Sequence, residues 1–183
     1  MTALDHLLLL SAATVIIALA LGNSRVTGSN LTVLYAAQLV VLLFMSGLGY
    51  GSETMVRSSL TIEILGQSLR WRFDGLSWFF ALITLASALL ASWFSAGEWA
   101  QRYREQGGSL RLFHTTLALN VVSMLLLLAS GDLLSLFIGW ELVSWASFLM
   151  MALAGGAASR YALRYLTYAF AGAMAVLLGL VMI

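Results

Sequence analysis

Leu133–Leu153 is an almost wholly apolar run, and its one charge is Glu141. About 20 helical residues cross the ~30 Å hydrocarbon core of a bilayer, so this run is long enough to span one. Inside hydrocarbon every backbone N–H and C=O needs a partner, and a single segment satisfies them by forming a helix. A carboxylate at that depth costs at least ~2.5 kcal/mol on insertion scales and by default marks an ion path.

Five further runs have the same character: Leu4–Leu21, Leu31–Tyr50, Gly75–Ala96, Leu112–Ala129 and Ser159–Ile183. The 183 residues are 61% apolar and 9% charged, with a mean hydropathy of +0.95, whereas a soluble domain carries about 25% charge. The chain reads as an all-α integral membrane protein, a single membrane domain over 1–183 with about six transmembrane helices. Helices 1–3 occupy 4–96 and helices 4–6 occupy 112–183. The first run, with Ala18-Leu19-Ala20 near its end, has the look of a signal peptide. It carries Asp5 and His6 where a positive n-region belongs, so it reads as a retained helix, lipid-facing or peripheral.

The nine basic residues are all Arg. Arg57, Arg70 and Arg72 fall on the side of the N-terminus, and Arg25, Arg102, Arg104, Arg111, Arg160 and Arg164 on the other. The excess sets the second side in the cytoplasm and the N-terminus outside. No cysteine is present, which excludes disulfides and thiolate metal sites, and the net charge of +1 gives no face for nucleic acid. No cofactor motif, metal cluster or nucleophile–base pair stands out, so no cofactor is expected and the chain is not catalytic alone.

Between the second and third runs, Leu60–Leu65 and Ser68–Phe73 alternate with period two around Gly66-Gln67, the pattern of a small β-hairpin. Leu69, Trp71 and Phe73 share the face expected on the helices, opposite Arg70 and Arg72. Gly22–Asn30 reads as a polar turn, Gly47 and Gly51 as a helix-packing pair, and Glu98–Glu105 as a short surface helix ending at Gly107-Gly108. Asp74 and Asp132 precede apolar runs as N-caps. Ser130-Gly131-Asp132 is so short a link that the helices on either side must be antiparallel neighbours.

Asp132 and Glu141 are nine residues apart, which at ~100° per residue sets them on opposite helix faces. Ser144 is the local hydroxyl placed to support Glu141. Arg164, about a turn inside the last span, is the nearest counter-charge by axial height, with snorkelling to the interface as the plainer alternative. His114, near the start of the fourth span, is either a hydrogen-bonded interfacial residue or a proton relay. Gly172, Ala175 and Gly179 form a small-residue stripe suited to helix packing.

Three segments then follow in a familiar order: Asp74-Gly-Leu-Ser-Trp-Phe-Phe, Asp132-Leu-Leu-Ser-Leu-Phe-Ile-Gly-Trp-Glu141-Leu-Val-Ser-Trp, and Ala162-Leu-Arg-Tyr-Leu-Thr-Tyr168. The chain resembles the antiporter-like membrane subunits of complex I, of membrane-bound hydrogenases and of Mrp-type Na⁺/H⁺ antiporters. Relatives of these also partner a soluble zinc protein in bacterial inorganic-carbon uptake. The resemblance implies that Glu141 is the proton-path acid of the fifth helix, which in the family works opposite a Lys in a broken seventh helix. It covers nearly all of this chain but less than half of a usual family subunit. Helices 4–6 make a partial antiporter-like repeat, and Lys is absent. Ala146 stands where many members have Pro.

Two functions follow. In one, the chain is a split or truncated antiporter-like subunit in a bacterial inner membrane, with another membrane subunit supplying the intramembrane Lys and a soluble redox or zinc subunit as a further kind of partner. In the other, it is a non-conducting subunit that packs against a full-length relative or anchors a soluble enzyme.

Overall fold

Most of the membrane helices begin where a polar side chain takes up their first backbone amides, which have no partner within the helix. The computed structural model describes residues 1–22, 25–49, 55–64 and 66–182. Thr2 caps α1 (Ala3–Ala20), and Asp5 reaches back to the Thr2 amide to complete a capping box. Asp74 accepts the Ser77 amide at 2.8 Å to start α3 (Gly75–Ser95). Ser109 caps α5 (Leu110–Leu128). Asp132 and Ser135 exchange hydrogen bonds at the start of α6 (Leu133–Ala152). The remaining helices are α2 (Arg25–Gly49), the short α4 (Glu98–Glu105) and α7 (Gly156–Val181). Six of the seven are long and apolar enough to cross a membrane, making this a multi-pass membrane protein.

Two expectations need correction. The polar turn is shorter than Gly22–Asn30, because α2 already begins at Arg25. The Thr27 hydroxyl donates back to the Leu21 and Gly22 carbonyls at 3.4 and 3.3 Å. A Cβ on Gly28 would come within 3.0 Å of the Ala96 backbone, so this polar turn of helix packs tightly on the end of α3. The first helix is not peripheral either: 39% of its span is buried, as much as for α5. Leu4, Leu7, Leu8, Ser11, Thr14 and Ala18 are enclosed, and α1 packs on both α2 and α5. The Gly47–Gly51 pair lies partly outside the described residues.

The hairpin segment forms two small antiparallel ladders, β1 (Val56–Arg57) with β4 (Arg72–Phe73) and β2 (Ile62–Ile64) with β3 (Gln67–Leu69). Gln67 pairs with Ile64 and so belongs to β3 rather than to the turn, where Gly66-Gln67 would have placed it. Gly66, at φ +77°, takes the left-handed conformation that a hairpin turn demands. The faces are as expected: Leu69, Trp71 and Phe73 are buried in the common core, while Arg70 and Arg72 are exposed.

This hairpin is bolted to the ends of three helices. Asp5 of α1 accepts the Ser58 and Ser59 hydroxyls at 2.5 Å each and the Ser59 amide at 3.0 Å. Arg72 donates its amide to the Ala129 carbonyl at 2.7 Å, and Gly131 donates to the Arg70 carbonyl at 2.8 Å. The Arg70 amide in turn donates to Asp132 at 2.7 Å. Burial alone would raise the Asp132 carboxyl, but the Ser135 and Arg70 amides outweigh it and hold the group below the usual carboxylate range. Gly131 is required here, since a Cβ would stand 2.7 Å from the Arg70 carbonyl oxygen.

At the opposite end Trp99 of α4 stacks on Tyr103 at 4.8 Å between ring centroids and meets Phe113 of α5 at 5.0 Å. An aromatic cluster at a helix end suits the membrane–water interface.

Candidate functional site: an intramembrane carboxylate

The packing of α5 against α6 positions Glu141. Gly139 lets the two backbones meet, since a Cβ there would lie 2.7 Å from Leu127 Cα. About two turns further along the pair, Asn120 donates to the Ser147 hydroxyl at 3.3 Å. The two contacts define an antiparallel pair in register. Glu141 follows Gly139 by two residues, hence ~200° around the helix, and projects away from the α5 contact. It stands eight residues into α6, ~12 Å along the axis, with no other acid or base in that helix.

Glu141 is half-buried, and its Oε1 is enclosed without a hydrogen-bond partner. The expected supports are not in contact with it. Ser144 is buried one turn away, yet its hydroxyl does not bond Oε1. Arg164 stands eight residues into α7, and its guanidinium lies 5.9 Å from the ring centroid of Tyr161, one turn toward the start of that helix. Among the described residues the one ion pair is Arg102 with Glu98, at 3.1 Å on exposed α4. The helices bearing Glu141 and Arg164 are also sparsely covered: 22% of the α6 span and 11% of the α7 span are buried. The stripe of Gly172, Ala175 and Gly179 is open, with nothing within 4 Å of a Cβ at either glycine. Instead α7 buries Ala162 and Ala173.

His114 is fully enclosed, four residues into α5. Its Nε2 lies 3.4 Å from Ser95 Oγ, and Ser95 donates its own proton to the Ser92 carbonyl at 2.7 Å. Ser95 therefore accepts, and the imidazole carries its proton on Nε2. This leaves Nδ1 as a buried acceptor without a partner. Among the described residues no group of three His, Cys, Asp or Glu is placed to hold a metal.

Sequence reading passed over Asp5 and the facing hydroxyls of α1. The signal was there: Ser11 and Thr14 at i, i+3 on one helix opposite Gln38 on the next.

No family model matches the chain. Over 140 residues it is 27% identical to NADH-ubiquinone oxidoreductase chain 5 of Sus scrofa, a match covering 72% of this chain and 22% of that protein. The chain thus spans less than a quarter of that relative's length. Its fold resembles a chain of the membrane-bound sulfane sulfur reductase (MBS), an archaeal respiratory membrane complex, with TM-score 0.74 and 22% identity over 94% of this chain and 26% of that one. It also resembles a chain of the Mrp complex from Dietzia sp. DQ12-45-1b, with TM-score 0.72 and 24% identity over 96% of this chain and 18% of that one. An NADH-ubiquinone oxidoreductase (complex I) chain and a chain of an Mrp complex are thus among the proteins it is similar to, as the three sequence segments indicate.

Proposed function

We propose that this chain, a relative of the antiporter-like membrane subunits, contributes Glu141 as a proton-path carboxylate to a multisubunit ion-translocating complex of a bacterial inner membrane. One observation carries the reading. An acid ~12 Å inside a span has an enclosed, unpartnered oxygen and lies on the helix pair left barest by the other helices. Keeping such a group is costly unless something outside this bundle engages it. Helices of another membrane subunit then cover α6 and α7, one of them bringing an intramembrane Lys. Approach of that cation favours the carboxylate, and its withdrawal favours the protonated acid. Arg164 swings from Tyr161 toward Glu141 as a modulating charge, Ser144 supplies a hydroxyl when the acid is ionised, and His114 Nδ1 receives a proton near the cytoplasmic end. A redox or zinc-bearing soluble subunit would supply the driving chemistry.

A non-conducting role as a packing or anchoring subunit has one observation in its favour. Within the described residues Glu141 has no counter-charge within ion-pair distance.

Glu141→Gln, introduced into the intact complex and measured in sealed vesicles, separates the two. The transport reading expects ion flux to fall by about a hundredfold or more, the range typical of removing a proton-transfer group, with the complex still assembled. Wild-type flux in an assembled variant complex would establish the anchoring reading instead.

A further inference from the structure

We infer that the hairpin end of α6 and α7 holds one membrane phospholipid, with an acyl chain in the groove between the two helices and its phosphate on Arg70. The groove has a volume of about 360 Å³ and is lined by Leu133, Leu136, Phe137, Trp140, Ala173 and Val176. The α6 residues recur at i, i+3, i+4 and i+7, so they form one stripe down that helix. Ala173 is the buried floor, and Leu133, Leu136 and Trp140 are exposed along the rim. Of the six side chains only Trp140 has a polar atom, so the groove offers water too few partners to hold it.

Two features select a lipid over a helix of a partner subunit. The first is length. Trp140 follows Leu133 by seven residues, ~10 Å along the axis, and one leaflet of the ~30 Å hydrocarbon core is ~15 Å deep. A transmembrane helix needs a seam through both leaflets, whereas this groove stays within one and begins at the interface. The second is charge. Leu133 follows Asp132, and the Arg70 backbone is fixed there: its amide donates to Asp132 at 2.7 Å and its carbonyl accepts the Gly131 amide at 2.8 Å. The Arg70 side chain is exposed and, among the described residues, enters no ion pair. Each Asp132 carboxylate oxygen already accepts a backbone amide, and Arg72 lies beside Asp74. A cation is therefore left at the mouth of an apolar groove, and a phosphate above an acyl chain complements both. The site requires nothing of Glu141 and stands whether or not that acid conducts.

Photolabelling of the intact complex tests it, in vesicles of phosphatidylethanolamine and phosphatidylglycerol doped with a phosphatidylglycerol that carries a diazirine along one acyl chain. The reference is the more heavily labelled of Phe79 and Phe80 on α3. Both are exposed, and Phe79, like Phe137, lies four residues past the start of its helix on the hairpin side. Adducts at Phe137 and Trp140 should exceed the reference about fivefold, the factor given by ~1 kcal/mol for one Arg at a lipid surface. Ala173→Leu fills the floor, and Arg70→Gln removes the charge while keeping the backbone bonds. Each should bring the groove down to the reference level. Wild-type labelling of the groove no higher than the reference would overturn the proposal, and so would labelling undiminished in either variant. A partner helix seated in the groove would exclude the probe and leave Phe137 and Trp140 unlabelled, which overturns it too.

Discussion

Asp132 shows how one carboxylate joins two parts of the chain. It caps α6 through the Ser135 amide and holds the hairpin through the Arg70 amide, both bonds favouring the ionised form. Its folded value is depressed, so its contribution is fully present above the unfolded carboxyl's ~3.9 and is lost as pH falls through the lower folded value. Hydrogen exchange at the Arg70 amide is the direct readout. Protection relative to the intrinsic rate should be constant from neutrality to about pH 4 and fall below that. In Asp132→Ala the protection should be low throughout and insensitive to pH. An Arg70 amide equally protected in wild type and variant would mean that the backbone bonds around Gly131 suffice.

At the scale of elements, the contact between α5 and α6 depends on one missing side chain. A methyl on Gly139 would press on the Leu127 backbone, which cannot rotate out of the way as a side-chain tip does. Gly139→Ala should therefore lose stability by about 1–3 kcal/mol, the range for overpacking. Gly172→Ala, with open space at its Cβ, should be neutral or gain up to about 1 kcal/mol from helix propensity. Unfolding in mixed micelles compares the two, and equal effects would deny any special role to Gly139. The elements themselves were legible in the sequence, since length, apolarity and the caps Asp74 and Asp132 mark where helices begin. Helix coverage was not. Ser11 and Thr14 look like minor polar breaks in an apolar run, yet both are buried where α1 packs on α2 and α5, Thr14 against Gln38. The site was legible only in part: Glu141 stands out as a charge in hydrocarbon, whereas the reach of Arg164 depends on a rotamer, which axial spacing does not fix. His114 gave no sign of its burial, because its enclosure comes from Ser95, nineteen residues away.

On the scale of the whole molecule, charge and architecture divide the protein into two ends. Arg57, Arg70 and Arg72 lie on the hairpin, which is fastened to the start of α1 and the α5–α6 turn. Arg102 and Arg104 lie on α4 at the other end, with Arg111 and Arg160 near the starts of α5 and α7. The cytoplasmic excess of basic residues predicts that the hairpin and the N-terminus lie outside and α4 inside. The absence of cysteine makes this directly testable with single substitutions. Glu63→Cys on β2 and Gln101→Cys on α4 both replace exposed residues. In intact cells an impermeant maleimide should label the first, and the second only after permeabilisation. The reverse pattern would invert the protein. It would also shift the proposed proton route, because Glu141 is ~12 Å from the hairpin end of α6 and His114 is ~6 Å from the α4 end of α5. With the hairpin outside, a proton from the cytoplasm meets His114 before it reaches the depth of Glu141. Inverted, it would meet the acid first, and the imidazole would belong to the exit.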